Sequence, residues 1–177
     1  MQAESLDIDA ECSERAAGFA TVRIVGISGS SNPSSSNRAF LEALAAVSPE
    51  EFTIWSRLGE LPHFSPELDG NDAVASLRSS VADADVVVIA TPEYAGGMPG
   101  TLKNALDWLV GSGELYDRRV AVFSVAPSAE RGERARQWVE QVIGFQGGRV
   151  VLSQSIAAPI ATDPVTIQST LSHLADA

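Results

Sequence analysis

At 177 residues, with 45% hydrophobic and 20% charged side chains, the chain can bury the core of one domain without staples, which excludes a disordered protein. A single cysteine, Cys12, excludes an intrachain disulfide framework. The formal net charge of −11 disfavours nucleic acid and anionic lipid as partners, and no apolar run reaches the roughly 18 residues of a membrane span.

Residues 1–20 carry Glu4, Asp7, Asp9, Glu11 and Glu14 against Arg15 and are expected to form a flexible acidic tail. They lack the basic start and apolar stretch of a signal peptide, so a soluble, cytoplasmic protein is expected. From Thr21 the pattern becomes regular. Val22, Ile24, Val25 and Ile27 predict a strand that ends at Gly29, and Phe40, Leu41, Leu44 and Val47 recur at helical spacing until Pro49. A short strand follows at Phe52–Trp55 and a helix at Asp72–Val81. Asp85–Thr91 is a continuous apolar run of the kind buried on both faces of a parallel sheet. A helix with Leu102, Ala105, Leu106 and Leu109 comes next, then a strand at Val120–Val125 and a helix at Glu133–Ile143. The chain closes with a strand at Val150–Ser153 and a helix over Pro164–Ala175. Strands alternating with helices predict a doubly wound α/β domain over residues 21–177, with a parallel sheet and helices on both faces.

In such a sheet ligands bind beyond the carboxyl ends of the strands, where strand order reverses. Three loops fall there. The first, Gly29–Asn37 (GSSNPSSSN), joins a buried strand to a helix N-terminus, where unsatisfied N–H groups and the helix dipole attract phosphate. Ser30, Ser35, Ser36 and Asn37 add side-chain donors, and the absence of a following lysine suits one monophosphate better than a triphosphate. A serine-rich turn with a helix cap accounts for the same residues. The second loop, Thr91–Gly100, holds two prolines and three glycines, which dictate a backbone path able to present main-chain groups to the edge of a flat heterocycle, with Tyr94 as a wall. A rigid turn with a half-buried tyrosine is the plainer alternative. The third loop begins Ala126-Pro127-Ser128. Trp55, Trp108 and Trp138 read as packing residues, and His63 and His173 as surface residues. Glu93 reads as a backbone cap or a partner for Lys103.

The serine loop followed by TPEYAGGMPGTLKNALDW (Thr91–Trp108) resembles the NADPH-dependent FMN reductase family, over about Val22 to Pro159. The resemblance implies a flavodoxin-like three-layer sandwich with a five-stranded parallel sheet of order 2-1-3-4-5. It implies FMN as cofactor and NADPH or NADH as co-substrate. The reaction would carry two electrons to a quinone, azo compound, flavin or similar acceptor, with no metal and no catalytic side chain beyond the flavin. An electron carrier and a flavin-free relative are the alternatives. Carried over by position, Ser30, Asn32, Ser35, Ser36 and Asn37 belong to the phosphate site. Pro92, Glu93, Tyr94, Ala95 and Gly96 line the ring, and Ala126, Pro127 and Ser128 approach its pyrimidine edge. The sequence departs from the family at Asn32, where relatives carry arginine, at Ala95, where they carry asparagine, and in the third loop, usually glycine-rich. A homodimer or homotetramer is implied, with the helix at LKNALDWLV as its contact surface.

Overall fold

The computed structural model describes residues 21–176. The acidic segment expected at residues 1–20, with Cys12, lies outside the described residues. Five strands form one parallel sheet in the order β2-β1-β3-β4-β5: β1 (Arg23–Ser28), β2 (Glu51–Trp55), β3 (Val86–Ala90), β4 (Arg119–Ala126) and β5 (Arg149–Ala157). The helices between and after them are α1 (Ser36–Val47), α2 (Asp72–Asp83), α3 (Gly100–Trp108), α4 (Glu133–Phe145) and α5 (Pro164–Asp176). The expected strand order and alternation are borne out. No helix among the described residues is long and apolar enough to cross a membrane.

Two cores flank the sheet, and period-two alternation assigns side chains to them. On β3, Val87 and Ile89 face α2, α3 and α4, where they join Leu77, Leu102, Leu106, Val139 and Ile143. Val86, Val88 and Ala90 face α1 and α5 and meet Phe40, Leu41, Leu44, Ile167 and Leu171. All of β3 is buried, as its uninterrupted apolar sequence demands.

One boundary differs from expectation. β5 runs to Ala157 rather than ending at Ser153, paired in register with β4 from Ala121↔Leu152 to Ala126↔Ala157. Ser153, Gln154 and Ser155 carry little apolar signal because β5 is an edge strand held by main-chain bonds to β4. β4 also outlasts its other neighbour: the β3 pairing stops at Ala90↔Phe123, and β4 continues to Ala126. That overhang places the third loop above the sheet edge.

Candidate functional site

The loops after β1, β3 and β4 converge on the carboxyl edge of the sheet, and strand order reverses between β1 and β3. Gly29 locks the first two loops together. Its N–H donates to the Ala90 carbonyl at 2.7 Å. A Cβ there would lie 2.9 Å from Leu102 Cδ2 and 3.1 Å from Thr91 Oγ1, so any side chain would push these neighbours back from the junction.

The first loop is built from a relay of side-chain-to-main-chain bonds, each two residues long. Ser28 Oγ accepts from the N–H of Ser30 at 3.3 Å, Ser30 Oγ from that of Asn32 at 3.2 Å, and Asn32 Oδ1 from that of Ser34 at 2.9 Å. Ser35 then caps α1, its hydroxyl oxygen accepting from the N–H of Arg38. Among the described residues, the N–H groups of Ser31, Ser36 and Asn37 have no protein acceptor. The first turn of α1 holds no acid, whereas α2 and α4 carry Asp72 and Glu133 there. An acid-free helix N-terminus with open donors and serine hydroxyls fits a phosphate monoester.

Asn37 is a correction. It was expected among the side chains that hold phosphate, but its amide is buried and engaged elsewhere. Nδ2 donates to the Val125 carbonyl and Oδ1 accepts from the Val125 N–H, each at 3.0 Å. Val125 lies past the last β3–β4 pair, so its inward-facing polar groups have no strand to bond. The Asn37 amide takes the place of that missing strand. Its main-chain N–H still faces the loop.

In the second loop, Tyr94 and Gly97 exchange main-chain hydrogen bonds at 2.9 and 3.1 Å around Ala95 and Gly96, which have φ of 50° and 77°. Positive φ at both central residues is the signature of a tight type I′ turn. Tyr94 projects into solvent. The Glu93 carboxylate caps α4, accepting from the N–H of Arg134 at 3.2 Å and of Ala135 at 3.4 Å. The cap reading therefore holds, and Lys103 pairs with Asp107 instead. Trp138 departs from the packing expectation: it is 54% exposed, with its ring edge set against Gly97.

In the third loop Ala126 is buried and Pro127 is exposed. The neighbouring Ser128 side chain, and then Glu130's own main-chain N–H, hold the Glu130 carboxyl below the usual range. Gly132, at φ 105°, closes the loop; a Cβ there would fall 1.8 Å from Ser124 Oγ.

Sequence reasoning missed what Asn104 and Trp108 do together. Both donate to the Pro62 carbonyl, at 2.9 and 2.8 Å, and Asn104 Oδ1 accepts from the Phe64 N–H at 2.8 Å. The KNALDW segment thus pins the loop after β2. The pattern of one amide and one indole a helical turn apart was the available signal.

The strand order and the loops at its reversal define the flavodoxin-like class. The chain belongs to the NADPH-dependent FMN reductase family, whose model matches residues 22–163. A 2-hydroxy-1,4-benzoquinone reductase of Burkholderia sp is 38% identical over 90 residues, 49% of this chain and 49% of that protein. The chain thus spans about half the length of that relative. The quinone reductase of Escherichia coli K12 is 26% identical over 168 residues, 86% of this chain and 89% of that one. Among solved structures, the flavoenzyme NAD(P)H:(acceptor) oxidoreductase from Paracoccus denitrificans superposes with a TM-score of 0.75 at 24% identity. That match covers 88% of this chain and 96% of the other, and it shows the shared fold.

Proposed function

We propose that the protein is an NAD(P)H-dependent, FMN-binding oxidoreductase that passes two electrons from a nicotinamide to a quinone, azo compound, flavin or similar small acceptor. The acid-free N-terminus of α1, with its open N–H groups on the edge where the sheet reverses, carries this reading. Bound FMN supplies the two-electron chemistry. The chain supplies position. The N–H groups of Ser36 and Asn37 and the hydroxyls of Ser35 and Ser36 hold the phosphate, while Ser30 and Asn32 set the loop's path. Main-chain groups of Pro92, Glu93, Ala95 and Gly96 meet the ring edge, Tyr94 bounds it, and Ala126, Pro127 and Ser128 close the pyrimidine side. No side chain is assigned a proton transfer.

Residues 21–177 act as one FMN-binding domain in this reading, working in the cytoplasm as a homodimer or homotetramer. An apolar groove between α3 and α4 supports self-association. Met98 and Val142 line it, and Trp138 and Phe145, 54% and 92% exposed, stand beside it two helical turns apart. Light scattering of the wild type and of Phe145→Asp tests this: the variant should shift to a smaller species.

Titration with FMN and with riboflavin tests the cofactor site, and FMN should bind far more tightly. Anaerobic reduction by NADPH and NADH, then turnover with a quinone, tests the activity. Equal affinity for the two flavins would overturn the phosphate site. Flavin reduction without quinone turnover would favour an electron carrier.

A further inference from the structure

On the β2 side of the first loop lies a cleft of about 230 Å³. The stretch from Ser30 to Pro33 forms one wall, and Arg57 and Glu60, just beyond β2, form the other, with Arg38 of α1 also lining it. The first loop holds no basic residue between Gly29 and Asn37, so these two arginines are the cations nearest it in the cleft.

Both guanidinium groups are held in place yet incompletely used. Nε and Nη2 of Arg57 donate to one oxygen of Glu60 at 2.9 and 2.7 Å, and Nη1 reaches the Asp72 carbonyl at 3.5 Å. A guanidinium has five N–H donors, so two remain. Nε of Arg38 donates to Glu42 at 2.8 Å, and its terminal nitrogens have no partner among the described residues. The Arg57 and Arg38 side chains are 39% and 34% exposed, which leaves both open to a ligand. Arg38 also sits in the first turn of α1, where the helix dipole disfavours a cation, and Glu42 is the anion that offsets this within the chain. Each arginine already pairs with one carboxylate, Arg57 with Glu60 and Arg38 with Glu42, and the N–H donors they leave open stand beside serine hydroxyls and the open N–H of Ser31, an arrangement suited to a phosphate oxyanion.

We propose that this cleft binds a phosphate monoester dianion, with Arg57 as its principal cation and Arg38 as the second. The proposal deepens the function proposed above and rests on it. Two monoesters are available to such an enzyme, the 5′-phosphate of FMN and the 2′-phosphate of NADPH. The second would make Arg57 a determinant of nicotinamide preference.

Direct binding to the full chain decides the matter, using calorimetry with FMN against riboflavin and with 2′-AMP against adenosine. Arg57→Ala should weaken one monoester about tenfold, the scale of hydrogen bonds to a charged group, and leave its phosphate-free partner unchanged. Loss with FMN assigns the flavin phosphate. Loss with 2′-AMP assigns the co-substrate, and kcat/KM for NADPH relative to NADH should fall in parallel. Glu60→Gln, which frees Arg57, should tighten the same monoester, and added salt should erase the gain. A structural role for the Arg57–Glu60 pair would make both variants lose stability without this opposition. Unchanged binding of both monoesters in Arg57→Ala, or tightening absent in Glu60→Gln, overturns the proposal. Wild-type protein that binds FMN and riboflavin alike removes the flavin site; 2′-AMP binding sensitive to Arg57 would then still uphold the cleft.

Discussion

Two single residues set the quality of the site. The Asn37 amide is buried and satisfies both polar groups of Val125, so Asn37→Ala strands a donor and an acceptor inside the protein. An unsatisfied buried group costs about 1–3 kcal/mol, so the variant should lose about 2 kcal/mol or more of unfolding free energy in a denaturant titration. Ser36 is exposed and its side chain caps nothing. Ser36→Ala should therefore leave the unfolding midpoint in place and loosen FMN, which separates a brace from a ligand in neighbouring positions. Ala95 presents the converse case. It adopts φ 50° with a Cβ, a conformation that asparagine tolerates better than alanine. Ala95→Asn should raise stability by about 1 kcal/mol through the turn alone, and an unchanged melting temperature would contradict that account.

At the scale of elements, the β4–α4 connection is the most constrained. Gly132 combines a positive φ with a Cβ position inside the Ser124 hydroxyl. Gly132→Ala should cost more than 2 kcal/mol, roughly the sum of strain and overpacking. Ser124 Oγ is buried without a hydrogen-bond partner among the described residues, so Ser124→Ala should be neutral or stabilising. Combined with Gly132→Ala, it should recover the steric part of the loss but not the backbone part, and thermal unfolding of the three variants checks this. Elements of this kind were legible where burial was one-sided or complete. The apolar run of β3 and the helical stripe of α1 announced themselves, and the glycines and prolines marked the second loop. The rest was not legible because the information is long-range. Nothing near Asn37 says that β4 will outrun β3, and Arg57 comes beside the first loop only through sheet order. The end of β5 was hidden for a different reason: an edge strand needs main-chain bonds rather than an apolar pattern.

Across the whole molecule the charge balance matters, with 23 acids against 12 bases. Like-charge repulsion should make the protein more heat-stable at physiological than at low ionic strength, despite screening of its exposed ion pairs. A melting curve that falls with salt would mean that those pairs outweigh the net charge. The brace between Asn37 and Val125 spans 88 positions of chain, and this has a consequence for the order of folding. During synthesis, α1 and its loop are finished long before β4 leaves the ribosome; Gly29 can meet Ala90 once β3 is made, but the Asn37 amide has its partner only after β4. The braced form of the loop is therefore expected only once β4 is in place, too late for FMN to template the nucleus. Closing so long a loop belongs to the late, slow part of folding. FMN added during refolding should leave the folding rate unchanged and slow unfolding instead, so that the cofactor guards the finished protein rather than helping to make it.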